Sequence, residues 1–273
     1  MVTAHVWSAA DTARFVRAPL AEDDKYSRGV VGLRTGSARY PGAAILGVEG
    51  AWRAGAGLVR YVGDSLPSAL VLARRPETVL VEGRVGAWVI GSGTDAAART
   101  PHEEQELRAL LQESSPVVVD AGALDLAIGA ASPVVVTPHA GEFARLGTLL
   151  GLSDEEDSWR RAAAAARELD ATVLLKGAET VIADPAGGVR VVQSPTSWLA
   201  VAGTGDVLAG MIGTLIAANP EAPLADAAAA AAWLHGHAAA FAAGVEDAAP
   251  GHPIVALDVA EALPSIIARM LRA

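Results

Sequence analysis

The 273-residue chain has no cysteine, which excludes disulfides and thiolate chemistry and is compatible with any compartment. Aromatic residues make up only 4% and charged residues 19%, against 52% hydrophobic residues rich in small side chains. Such a composition supports a substantial core in which helices approach a sheet closely. Positive charge is also scarce: 21 basic residues face 31 acidic ones, a formal net charge of −10. That balance repels nucleic acid, and no basic run with interleaved aromatics is present. No stretch of about twenty apolar residues is free of charges and turn residues, so no membrane partner is expected. The opening "MVTAHVWSAADTARFVRAP" lacks the basic-then-apolar pattern of a secretory signal, and the expected location is cytoplasmic. Also missing are an obvious linker, an internal repeat, a low-complexity tail, a Ser-His-Asp order and paired carboxylates.

What is present is an alternation. Short apolar, β-branched runs recur as "LVRYV" (58–62), "AWVI" (87–90), "PVVVD" (116–120), "PVVVT" (133–137) and "TVLLK" (172–176). They are continuous rather than alternating, which suits strands covered on both faces. Helix-length segments lie between them: Gly42 to Arg53, Thr100 to Glu113, and Ser153 to Leu169, the last opening on a Ser153–Glu156 capping box. The order predicts an α/β fold with a mainly parallel central sheet and helices on both faces. "TVIADPAGGVRVVQ" (180–193) reads as a hairpin, and Asp206–Ala218 and 224–243 read as buried helices without a polar face.

Several Gly-rich turns fall at the ends of these runs. In "LAVAGTGDVLAG" (199–210) the only charge, Asp206, sits between a Gly-rich turn and an apolar helix. Such a turn directs free N–H groups at one point and favours phosphate or a developing oxyanion. Asp206 is then either a helix-start carboxylate stabilised by the dipole or a chemical group. Lys176-Gly177 ends a strand in "LLKGAETVIADPAGG", where open parallel sheets bind ligands. In "VVTPHAGEFARL", His139 and Glu142 follow a strand; taken alone, His139 reads as a satisfied structural histidine, and a His and a Glu three apart could also suggest a metal site, although no third ligand follows at suitable spacing. "GSARYPGAA" and "VIGSGTD" add two more Gly-rich turns, and the first is not a P-loop because the Lys-Ser/Thr ending is missing. His235 and His237, two apart on a helix, read as packing or surface residues. Together the turns favour a nucleotide or phosphate-ester site.

Taken in order, "GSARYPGAA", "RAGAGLV", "IGSGT", "VVDAGAL", "TPHAGEFARL", "LLKGAETVIADPAGG" and "AGTGDVLAGMI" resemble the ADP/ATP-dependent NAD(P)H-hydrate dehydratases, members of the ribokinase-like superfamily. The resemblance runs from about Lys25 to Pro264. It implies a ribokinase-like fold and a metabolite-repair lyase that phosphorylates the hydroxyl of hydrated NADH or NADPH and expels phosphate. By the same resemblance Asp206 is the catalytic base, and Gly203, Thr204 and Gly205 form the anion hole. Lys176, Gly177, Ala178, Glu179 and Thr180, with Gly205, contact the nucleotide donor. Ala43, Gly93, His139 and Asp206 contact the hydrated dinucleotide. Mg²⁺ is implied, with ligands left unassigned. ADP is the expected donor and ATP the alternative. The expected product pair is AMP and phosphate.

The sequence departs from the family pattern at Gly122, where relatives commonly carry a second Asp, and at Ser197-Trp198-Leu199, where a Gly-containing lead-in is usual. Residues 1–273 are expected to form one dehydratase domain without an N-terminal epimerase domain, so that a separate epimerase acts in the same pathway. A homo-oligomer, as large as a tetramer, is expected because so many helices lack a polar face. The competing readings are a ribokinase-like kinase for a thiazole, pyrimidine or sugar alcohol, and a nucleotide-binding regulator without turnover.

Overall fold

The computed structural model describes residues 4–153, 157–245 and 249–272. In chain order its elements are β1 (Ala4–Val6), α1 (Ala9–Ala13), β2 (Val30–Arg34), α2 (Gly42–Arg53), β3 (Leu58–Tyr61), α3 (Ser65–Arg74) and β4 (Ala87–Ile90). There follow α4 (Pro101–Leu110), β5 (Val117–Val119), β6 (Val134–Val136), α5 (Ala140–Leu149), α6 (Ser158–Leu169), β7 (Thr172–Leu175), β8 (Glu179–Ala183) and β9 (Val189–Gln193). Three helices close the chain: α7 (Thr204–Ala218), α8 (Leu224–Ala242) and α9 (Ala256–Met270). Short 3₁₀ turns occupy Ala96–Ala98 and Ala121–Ala127.

The strands form one nine-stranded sheet in the order β1-β9-β8-β7-β6-β5-β4-β2-β3. Pairing is parallel from β3 through β7 and between β1 and β9, while β7-β8-β9 is the antiparallel hairpin region anticipated for 180–193. The apolar runs are central strands because both faces are covered. Val89 and Val118 face the helical layer containing α2, α7, α8 and α9, whereas Trp88, Ile90, Val117 and Val119 face the opposite core with α4, α5 and α6.

α7 shows why the Ala/Gly-rich composition matters. Twelve of its fifteen residues are buried, against the sheet and against α2, α8 and α9. A Cβ at Gly50 would lie 2.2 Å from Val207 O, and one at Gly210 would lie 2.0 Å from Gly47 O, so α2 and α7 meet backbone to backbone. Their apolar circumference is therefore packed within the chain.

One boundary differs from expectation. α6 starts at Ser158, where the Asp157 side chain accepts from Arg160 N and serves as N-cap. The helix thus begins after Asp157 rather than at Ser153; Glu156, the other half of the proposed capping box, lies outside the described residues. Among the described residues no helix is long and apolar enough to cross a membrane.

The topology locates a crevice. From β2 the chain moves outward to β3, then returns to place β4 on the other side of β2. Connections diverge at this switch point, and in open parallel sheets ligands bind outside the carboxyl ends of the strands at such a point.

Candidate active site

Six segments converge at the carboxyl edge of the parallel strands. The β2 and β4 loops are clasped together: Gly36 N donates to Ser92 O at 2.7 Å, and Ser37 Oγ donates to Gly93 O at 2.9 Å. Gly93 adopts φ +68°, and a Cβ there would lie 2.3 Å from the Cβ of Ala43. The fold thus brings Ala43 and Gly93 into direct apposition, and only glycine fits at 93.

The centre of the edge is a buried carboxylate that carried no role in the sequence reading. Asp120, 3% exposed at the end of β5, accepts from Ser92 Oγ at 2.8 Å, Thr137 Oγ1 at 2.8 Å and Lys176 Nζ at 2.9 Å. Its signal was position: it terminates "PVVVD", and a strand's carboxyl end is where a polar group reaches the crevice. Its partners come from three other strands and are invisible locally. Lys176 is held by a backbone bond from its N–H to Pro138 O at 2.9 Å. Its ammonium also approaches Glu142 Oε2 at 4.0 Å. Burial opposes the charge on Lys176, but Asp120 beside it, with Glu142 and Asp206 farther off, raises its pKa on balance.

His139 and Glu142 make a capping box for α5. His139 Nδ1 accepts from Gly141 N at 3.0 Å and Glu142 N at 3.3 Å, and Glu142 Oε2 accepts from His139 N at 2.8 Å. With Nδ1 accepting, the proton of the neutral ring is on Nε2, 3.5 Å from Glu142 Oε1. The structural histidine read from sequence is thus an N-cap, and its reciprocal partner Glu142 was not foreseen.

Gly203, at φ +89°, is the N-cap of α7, and the Thr204, Gly205 and Asp206 N–H groups open the helix. Such N–H groups have no intrahelical acceptor. The Thr204 hydroxyl is spent elsewhere, donating to Leu199 O and Val201 O at 3.1 Å each, which fixes the preceding turn. Trp198 of the unusual lead-in is pinned too, its indole N–H donating to Pro250 O at 2.8 Å. A Cβ at Gly205 would stand 3.3 Å from Lys176 Nζ, so the bare glycine lets the ammonium approach the helix start.

Asp206 lies in that first turn, yet α7 has no side-chain cap. No hydrogen bond holds its carboxylate among the described residues. Burial, and next the charge of Asp120, push its pKa up to about 7, with Lys176 pulling it back. Beneath the turn, His235 is 6% exposed and burial lowers its pKa to about 4, so it is neutral. His237 stacks on Trp233 with ring centroids 3.6 Å apart. Both histidines are packing residues, as their spacing suggested.

The segment Lys176–Thr180 turns into β8. Thr180 Oγ1 donates to Gly177 O at 3.2 Å, Ser194 N donates to Ala178 O at 3.2 Å, and Glu179 Oε1 accepts from Trp159 Nε1 at 2.8 Å. It adjoins the Gly-rich turn through Lys176. The residues expected to contact donor and dinucleotide thus occupy one edge, linked through Ser92, Asp120 and Lys176.

Among the described residues no three potential ligands are gathered closely enough to hold a metal by themselves. Asp120 and Glu142 offer oxygens on either side of Lys176 Nζ, at 2.9 and 4.0 Å. Carboxylate oxygens in that number suit Mg²⁺, which keeps several waters and takes further ligands from a nucleotide's phosphates.

An open, mostly parallel sheet with a Gly-rich turn and a carboxylate at a helix start on its carboxyl edge defines the ribokinase-like class. The family model for NAD(P)H-hydrate dehydratases matches residues 31–253, and the chain belongs to that family. It is 44% identical over 257 residues to the bifunctional NAD(P)H-hydrate repair enzyme of Mycobacterium leprae, covering 89% of this chain and 51% of that protein. It is 37% identical to the ADP-dependent (S)-NAD(P)H-hydrate dehydratase of Neisseria meningitidis, covering 80% of this chain and 79% of that one. The chain spans about half the length of the bifunctional curated relatives it matches. Among solved structures it matches the Bacillus subtilis ADP/ATP-dependent NAD(P)H-hydrate dehydratase co-crystallised with ATP/Mg²⁺, with TM-score 0.85, 28% identity, and coverage of 99% of this chain and 100% of that one.

Proposed function

We propose that this chain dehydrates the S form of hydrated NADH and NADPH, using ADP as phosphoryl donor and releasing AMP and phosphate. The observation that carries the reading is the unpaired Asp206 carboxylate at the start of α7, beside Lys176 and the free N–H groups of the Gly-rich turn.

The chemistry follows from leaving groups. Hydroxide departs poorly and phosphate departs well. Asp206, poised near neutrality, accepts the proton of the substrate hydroxyl as its oxygen bonds to phosphorus and the bond from phosphorus to the AMP oxygen breaks. The N–H groups of Gly203, Thr204 and Gly205 stabilise the transferring phosphoryl group. Lys176 through Thr180 hold the donor, with the Lys176 ammonium neutralising phosphate charge. The ring nitrogen then pushes out the phosphate as the carbon–oxygen bond breaks, and a proton leaves the adjacent carbon to restore the double bond. Ala43, Gly93 and His139 orient the ring and its ribose across the β2–β4 crevice. Asp120 and Glu142 would hold Mg²⁺, which would supply charge neutralisation on the donor phosphates.

In this reading residues 1–273 act as one cytoplasmic dehydratase unit and assemble as a homo-oligomer as large as a tetramer. The deciding assay mixes protein, hydrated NADH, Mg²⁺ and ADP and follows absorbance in the reduced-nicotinamide band. A rise that requires nucleotide, with stoichiometric AMP and phosphate, supports the reading; a flat trace with nucleotide still bound moves the assignment to a small-molecule kinase. Replacing ADP by ATP tests the donor, and a clear ATP preference overturns that part.

A further inference from the structure

Beside the crevice lies a cavity of about 480 Å³ that none of the roles above uses. One wall is the 3₁₀ turn with Thr94 and Ala97, the second is the turn with Gly122, and the third is the outer face of α5 with Arg145, Leu146 and Leu149. It is continuous with the reaction edge. Thr94 follows Gly93, Gly122 is two residues beyond Asp120, and Glu142 belongs to both.

We infer that this cavity receives the second nucleotide of the hydrated dinucleotide, the half that does not react, with Arg145 pairing to its phosphate. The inference rests on the dehydratase reading and deepens it.

Three observations carry it. First, the cavity is of ligand size and largely apolar-walled, with Leu149 62% exposed at its mouth as a surface for a base. Second, Arg145 is exposed and has no ion pair or hydrogen bond among the described residues, on a chain of net charge −10. The acidic groups facing the cavity are already engaged. Asp125 binds Arg99 through both oxygens at 2.6 and 3.0 Å, Asp95 caps Ala97 N at 3.0 Å, and Glu142 caps α5 through His139 N. Arg145 therefore meets an incoming phosphate with its charge uncompensated.

Third, the wall is stiff. Arg99 Nη2 donates to Gly122 O at 2.5 Å from a side chain only 5% exposed, and a Cβ at Gly122 would lie 2.5 Å from Thr94 Oγ1. The departure at 122 has a local reason: this backbone packs two turns too closely for a side chain. Thr94, next to Gly93, sets this cavity beside the place proposed for the ring and its ribose.

The test separates the two halves of the substrate. Turnover of hydrated NADH is compared with that of hydrated reduced nicotinamide mononucleotide, which lacks the second nucleotide, in the parent, R145Q and A97W. Both positions are exposed, so folding is preserved. R145Q removes one charge-assisted contact and raises KM for hydrated NADH about tenfold. A97W fills the cavity and does the same. KM for the mononucleotide hydrate and for ADP stays at the parent value in both variants. Equal losses for both hydrates, no loss for either, or a rise confined to ADP overturns the inference. If the parent turns over neither hydrate, the dehydratase reading fails by itself. Titration of NADH by its fluorescence then decides the cavity: about tenfold weaker binding to both variants supports it, whereas equal binding, or none to the parent, overturns it.

Discussion

The substitution Gly210→Ala sets two physical effects against each other. On helix propensity alone, Ala in the middle of α7 stabilises by about 1 kcal/mol relative to Gly. The tertiary structure reverses the sign. The new methyl would stand 2.0 Å from Gly47 O and 3.1 Å from Ala51 N, both backbone atoms of α2. No rotamer change relieves that contact, so α2 and α7 must separate by roughly 1 Å, at the upper end of the 1–3 kcal/mol typical of overpacking. The net effect is a loss of about 2 kcal/mol. For a chain of this size that lowers the midpoint of thermal unfolding by about 4–8 °C. The matched control is Gly42→Ala at the start of α2, where an added Cβ meets nothing within 4 Å. It is neutral or stabilises by about 0.5 kcal/mol. Thermal melts followed by circular dichroism compare the three proteins. A melting point for Gly210→Ala equal to or above that of the parent would refute the close-packing argument. The same shift moves the start of α7, which carries Asp206, away from the start of α2, which carries Ala43, so turnover falls more than stability explains.

Asp206→Asn leaves nucleotide binding intact and abolishes turnover; calorimetric binding beside the absorbance assay checks this, and unchanged turnover removes Asp206 from the mechanism. Because the carboxylate must be deprotonated to accept a proton and its pKa is raised to about 7, kcat declines as pH falls below about 7, and a flat profile from pH 8 to 5 contradicts the assignment. The linkage has the opposite sense for stability. The native state binds this proton more tightly than the unfolded chain, so stability is lost as pH rises from about 4 to 7. Asp206→Asn is accordingly more stable than the parent at pH 8, and the difference closes near pH 4, as denaturant titrations at the two pH values would reveal. Glu49, 0% exposed inside α2, accepts from Arg74 Nε at 2.6 Å and from Arg75 Nη2; although burial works against its charge, the two arginines hold its pKa below the usual range. Its stabilisation is present above the ordinary carboxylate range and lost on acidification through the native pKa. Glu49→Gln costs about 3 kcal/mol near neutral pH, the lower end for breaking a buried pair because the arginines keep partial contact with water. Urea unfolding measures it, and a loss under 1 kcal/mol would show the network to be dispensable.

The sequence by itself determined the alternation of strands and helices, because strands buried on both faces must be continuously apolar, as "PVVVD" and "PVVVT" are. It also determined the hairpin at 180–193, the bounds of α2, and many of the places where the chain turns, because Gly tolerates positive φ and Pro presets its own φ. His139 was legible as a structural residue, but its capping box with Glu142 was not, because histidine is an unusual N-cap. Asp206 was legible as a question, since any carboxylate before an apolar helix can be a cap. The tertiary structure adds that Asp206 makes no capping bond among the described residues and feels the charges of Asp120 and Lys176, which supports the chemical role proposed for it. Asp120 was marked only by its position at the end of "PVVVD"; its partners Ser92, Thr137 and Lys176 come from loops 28, 17 and 56 residues away and could not be read locally. The same holds for the fate of the all-apolar helices. From sequence they suggested a partner subunit, and the fold buried them against Gly-paved faces of their own chain. Periodicity and turn chemistry act over a few residues and can be read along the chain, whereas desolvation and charge pairing depend on what the fold brings beside a residue.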